Sequence, residues 1–168
     1  GIAATASIII GREIGAGRQD QLYGTGLALD TLAVLGGTVL GVLLLLFVTF
    51  VAPEWVFPLF KLSPGAESVA TMMITTMALY MPLKDFNSVN IVGVLRGGGD
   101  VKASTMIDIG PLWLCAIPYA AFCGLVLRTP VFWVYMAFPL EQVVKCFIGV
   151  WRLRSGRWVR DLTRPVGE

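Results

Sequence analysis

From Thr31 to Ala52 the chain runs without a charged residue, and the middle of that run reads Gly41-Val-Leu-Leu-Leu-Leu-Phe-Val. A hydrocarbon core ~30 Å thick is crossed by about 20 predominantly apolar helical residues rising ~1.5 Å each. The run therefore predicts a membrane span, closed by Pro53 and Glu54. A chain carrying such a segment has to be built around hydrocarbon as its solvent.

Three more stretches follow the same logic. Ser68–Leu95 is interrupted only by the Lys84-Asp85 pair, Ile109–Leu127 is charge-free, and Pro130–Trp151 carries only Glu141 and Lys145. Gly1–Gly11 reads as the end of a further span, and with Gly1 in place of an initiator Met the chain is expected to be a piece of a longer protein. The fold class expected is all-α, a polytopic membrane helix bundle with four full spans and the end of a fifth. The spans fall at about 1–11 (partial), 29–52, 67–95, 104–127 and 130–151, with a tail over 152–168. Strands are disfavoured, because no period-two alternation is sustained and the runs exceed strand length. Trp55, Phe57 and Phe60 beside Pro53 fit an interfacial aromatic belt.

Composition agrees. Apolar residues make up 56% of the 168 and charged residues 14%, and mean hydropathy is +0.76. Soluble domains run nearer 45–50% apolar and about 25% charged. Thirteen basic residues against eleven acidic give +2 with no continuous basic stripe, so nucleic acid is not an expected partner. Cys115, Cys123 and Cys146 fall in apolar stretches without CxxC spacing and no His is present, so they read as buried thiols. No metal site and no cofactor is expected, and with no activated Ser or Cys arrangement a membrane enzyme is the least supported class.

Orientation follows from Lys and Arg. One side receives Arg12, Arg18, Arg96, Lys102, Arg152, Arg154, Arg157, Arg160 and Arg164, the other only Lys61 and Arg128. The first side, with the C-terminus, is expected in the cytoplasm. Two glycine-rich loops lie there. Gly11, Gly15 and Gly17 have no preceding strand, and Arg96-Gly97-Gly98-Gly99-Asp100 lacks the Gly-Lys-Ser/Thr of a phosphate loop. Both are expected to form tight turns in which Arg and Asp side chains tie helix ends together.

Ionisable groups inside a bilayer cost at least ~2.5 kcal/mol and mark ion or substrate paths. By helix rise Glu141 is about 16 Å from both Pro130 and Arg152, and Lys84 and Asp85 are about 16 Å from Arg96. Asp108 is about 9 Å from Lys102, near enough to reach water. Asp30 is expected at a helix N-terminus, where a carboxylate is ordinary dipole chemistry. Glu141 and Lys145 are spaced i,i+4 in the favourable order, either as a neutralised pair locking the bundle or as a relay or substrate counter-charge. Lys84 and Asp85 lie roughly 100° apart on a helix and need not pair. Tyr80, Asn87, Ser88 and Asn90 extend the polarity, so this helix should face protein or an aqueous cavity rather than lipid. Pro82, Pro111, Pro118 and Pro139 each remove a backbone hydrogen bond and can kink a span.

At these residues the chain resembles the multidrug and toxic compound extrusion (MATE) family of secondary transporters. The likeness rests on Ile10-Gly11-Arg12-Glu13-Ile14-Gly15-Ala16-Gly17, on Val94-Leu95-Arg96-Gly97-Gly98-Gly99-Asp100-Val101-Lys102, on Pro118 and Val134-Tyr135 with Glu141 and Lys145, and on Arg154-Ser155-Gly156-Arg157-Trp158. The resemblance implies a full protein of twelve helices in two six-helix lobes around a central cavity, of which this chain would supply the second lobe from the end of the eighth helix onward. It implies efflux of organic cations or amphipathic drugs through the plasma membrane by antiport with Na⁺ or H⁺. The partners implied are an N-terminal lobe, the lipid bilayer and a small amphipathic or cationic substrate. A carboxylate eleven residues before the Arg of the Leu-Arg-Gly motif belongs to the family's cation site, and Asp85 stands there. Lys84 beside it departs from the Na⁺-coupled pattern. A lipid-linked oligosaccharide flippase of the same superfamily and a structural membrane subunit are the alternatives.

Overall fold

The computed structural model describes residues 1–159, which form helices joined by short turns, with one isolated bridge between Gly99 and Val159. We number five helical units. They are α1 (Ile2–Gly15), α2 (Leu22–Phe60), α3 (residues 64–95), α4 (Val101–Val126) and α5 (Val131–Arg154). A helical membrane bundle is what the runs of apolar residues dictate. α2, α4 and α5 are long and apolar enough to cross a membrane. α3 falls outside that set, although 24 α-helical residues continue into 8 of wider π-type turns. It carries the polar residues and occupies the middle of the bundle, packed by α1, α2, α4 and α5.

α3 begins where local chemistry sets it. The Ser63 hydroxyl accepts a hydrogen bond from the Ala66 N–H at 3.3 Å, Pro64 opens the first turn, and Glu67 follows in that turn. α2 ends at Lys61, which takes a left-handed φ of 49°.

The proline readings need revision in two places. Pro53 does not close α2: the helix passes through it within π-type turns spanning Phe47–Val56 and continues to Phe60. Wider turns re-aim the hydrogen bonds that proline disrupts. Pro139 does not kink a continuous α-helix, because α5 breaks after Tyr135 and restarts at Ala137, leaving Pro139 in a first turn. Of the three aromatic residues beside Pro53, Trp55 and Phe60 are exposed, but Phe57 is buried with Val48 and Ala52.

The core is split. One cluster joins α1, the first half of α2, the π-type end of α3 and residues after α5 through Ile10, Leu22, Ile91, Val94, Leu95 and Trp158. The other joins Val48, Ala52 and Phe57 of α2 to Ala70 and Ile74 of α3. Glycine lets α2 approach α3 closely: a Cβ on Gly41 would stand 2.6 Å from the Ala78 carbonyl oxygen, and one on Gly37 2.8 Å from the Pro82 Cα.

Candidate functional site

Between the two cores α3, α4 and α5 turn their polar side chains toward one another. Lys145 Nζ on α5 lies 2.6 Å from Glu141 Oε1 on the same helix and 2.9 Å from Asp108 Oδ1 on α4. The Glu141 and Lys145 side chains are only 6% and 10% exposed, whereas Asp108 is 41% exposed. Next to this triad the Asn87 amide on α3 donates to the backbone carbonyl of Gln142 at 2.8 Å and to its side-chain oxygen at 2.9 Å. Lys84, Asn87, Ser88, Asp108, Gln142 and Lys145 border a cavity of about 250 Å³. An apolar cavity of about 360 Å³ lies between Met73 of α3, Leu112 and Ile117 of α4, and Val134 and Phe138 of α5.

Four of the five predicted binding residues fall in this neighbourhood: Lys84, Asn87, Glu141 and Lys145. Asp85 does not. It is half-buried and turned toward α2, its Oδ2 in the space a Gly37 side chain would fill. The 100° offset between successive helical residues sends Lys84 to the chamber and Asp85 to the opposite helix. Asp108 is the residue the charge pattern undervalued, because its partner Lys145 is 37 positions away. Gln142 had no local signal either, and Asn90, read as part of the polar stretch, gave no sign of its partner Asp30, 60 positions away.

Asp30 also differs from expectation. α2 begins at Leu22, so Asp30 lies beyond the first turn, where the dipole contribution has faded. It is 1% exposed and accepts a hydrogen bond from the Asn90 amide at 2.7 Å.

The glycine loops occupy the end that carries Arg12 and Arg96. Gly11 and Gly15 lie inside α1 facing open space, while Gly17 (φ 74°) and Gly99 (φ 92°) take conformations that favour glycine. Gly97 lies against the Ser7 backbone and Gly98 against the Trp158 ring. Asp100 is fully buried and accepts a hydrogen bond from Arg152 Nε at 2.7 Å, while Arg96 Nε donates to the Ser104 hydroxyl at 3.4 Å. The predicted tail is helical through Arg154, and Arg160 and Arg164 lie outside the described residues. Cys123 is buried, Cys115 and Cys146 are half-buried, and all three are free thiols. Among the described residues no group of His, Cys, Asp and Glu is arranged to hold a metal ion.

Comparison with known proteins bears on what the chain is similar to. The MatE family model matches residues 1–122. The chain is 24% identical over 159 residues to the uncharacterized transporter YisQ of Bacillus subtilis (strain 168). That alignment covers 95% of this chain and 34% of the relative, so the chain spans about a third of the relative's length. No solved structure matches.

Proposed function

The chain belongs to the MatE family, and from that premise we propose that it forms most of the C-terminal lobe of a secondary transporter exporting organic cations or amphipathic drugs in exchange for inward Na⁺ or H⁺. Its partners are an N-terminal lobe of the same protein and the lipid bilayer, in the plasma membrane, with the Arg-rich end in the cytoplasm. The supporting observation is that Lys84, Asp108, Glu141 and Lys145 line or border one polar chamber inside a predominantly apolar bundle. Buried charges of this kind are kept where an ion or substrate path uses them.

In this reading the chamber is the polar element of the substrate path, and the apolar cavity beside it tolerates hydrocarbon of varied shape. Asp85, on the α2-facing side of α3, is the coupling carboxylate. A cation arriving from outside neutralises it and removes the counter-charge that held a cationic drug. Reciprocity requires the drug to weaken cation binding equally. Rocking of the two lobes then alternates access.

The test uses the intact protein in proteoliposomes with Na⁺ and H⁺ gradients imposed separately. Asp85→Asn is expected to abolish gradient-driven dye efflux and to weaken binding of a cationic dye while leaving expression in place. Unchanged coupled efflux in that variant would remove Asp85 from the mechanism. Dye movement that ignores both gradients in the unmodified protein would remove antiport itself.

A further inference from the structure

Asp30 and Asn90 form a second polar centre, separate from the chamber, where α2 meets the π-type end of α3. Both side chains are enclosed, at 1% and 0% exposure, within the described part of this chain. Asn90 Nδ2 donates to Asp30 Oδ2 at 2.7 Å, which fixes the amide's orientation and turns its own oxygen away, toward Gly149 of α5. Asp30 Oδ1 and Asn90 Oδ1 are both buried without a hydrogen-bond partner.

No charged group among the described residues balances Asp30. The buried cations Lys145 and Arg152 are taken by Asp108, Glu141 and Asp100. From α3 the facing group is the neutral Asn90 amide, and from α5 the titratable neighbour is the Cys146 thiol, which supplies no positive charge. An unpaired carboxylate in such surroundings takes up a neutralising ligand instead of staying ionised. Asp30 Oδ2 is already engaged, and one carboxylate oxygen beside one amide oxygen is a sparse shell for a metal cation. A proton needs only a single oxygen.

We propose that Asp30 is a proton-binding site that is occupied when α2 and α3 are packed as here and empties when they part. Binding forms one O–H bond at the carboxyl and removes one negative charge, with water as source and sink. The site thereby ties the α2–α3 contact to pH at a position distinct from Asp85, whatever compound is exported.

Infrared difference spectroscopy of the intact protein in lipid, in Na⁺-free buffer near neutral pH, reads the proposal directly. The unmodified protein is expected to show a protonated-carboxyl band that Asp30→Asn removes and Asp85→Asn retains. Asn90→Leu should shift that band without abolishing it, because the hydrogen bond to the carboxyl is lost, and this variant serves if Asp30→Asn does not fold. Spectra of unmodified protein and Asp30→Asn that coincide in the protonated-carboxyl region would overturn the proposal. So would an ionised-carboxylate band that depends on Na⁺ and vanishes in Asp30→Asn. Neither result bears on whether gradients drive efflux, so this inference and the transport reading fail separately.

Discussion

Lys145 is held between two carboxylates of unequal burial, and that inequality orders the consequences of removing each. Glu141 is enclosed, so its ammonium partner offsets a large desolvation penalty, whereas Asp108 is partly wet and screened. Lys145→Met leaves an uncompensated buried carboxylate and is expected to cost about 3–5 kcal/mol. Asp108→Asn should cost less than ~1 kcal/mol. Glu141→Gln combined with Lys145→Met should recover most of the single-variant loss, since residues in contact are not additive. Thermal unfolding in detergent checks all three, and a double variant as unstable as the sum of its singles would show that the pair is not coupled. The i,i+4 spacing made the Glu141–Lys145 pairing legible from sequence, as the angular offset did the divergence of Lys84 from Asp85. The pairings of Asp108 and of Asp30 were not legible. Their partners are 37 and 60 positions away, and no local periodicity encodes which helix faces which.

Among the elements, α2 shows how tertiary packing overrules a local rule. Pro53 followed by Glu54 reads as a stop, because proline removes a hydrogen bond and crowds the preceding turn. The helix nevertheless continues, since Val48, Ala52 and Phe57 bury against Ala70 and Ile74 of α3 and the turns between them widen to absorb the proline. The positions of the apolar runs were readable; their ends depended on contacts between runs. The same helix offers an internal control for close packing. Gly41 abuts the Ala78 carbonyl, whereas Gly36 faces open space. Gly41→Leu is expected to push α2 off α3 and lower the melting temperature of the detergent-solubilised protein by several degrees, as overpacking by ~1–3 kcal/mol does. Gly36→Leu should be neutral or slightly stabilising, given the entropic cost of glycine in a helix. Equal effects at the two positions would mean that α2 and α3 do not meet at Gly41.

For the whole molecule, the glycine-rich loop between α3 and α4 and the residues following α5 act as one clamp on the Arg-rich end. Trp158 is 1% exposed, its indole N–H donates to the Leu153 carbonyl at 3.0 Å, and its ring fills the space beside Gly98. Arg152 reaches Asp100 from the same direction, and Gly99 pairs with Val159. Ties of this kind keep the helix ends at that side from moving independently. Removing the ring deletes a large buried apolar surface, and Trp→Ala changes in cores cost about 3–5 kcal/mol. That loss falls on local opening of the segment, which sets how often a protease reaches it. Trp158→Ala is therefore expected to speed tryptic cleavage after Arg154 and Arg157 by at least ~10-fold, the ratio that ~1.4 kcal/mol produces. Gly98→Ala should act in the same direction, because a methyl group there meets the ring and the Trp158 carbonyl. Cleavage at Arg128, in the turn at the opposite end of the bundle, should be unchanged in both variants. If the rates at Arg154 and Arg157 also stay the same, the clamp contributes nothing to holding that end, and the rigidity of the bundle has to come from helix–helix contacts such as that of α2 with α3.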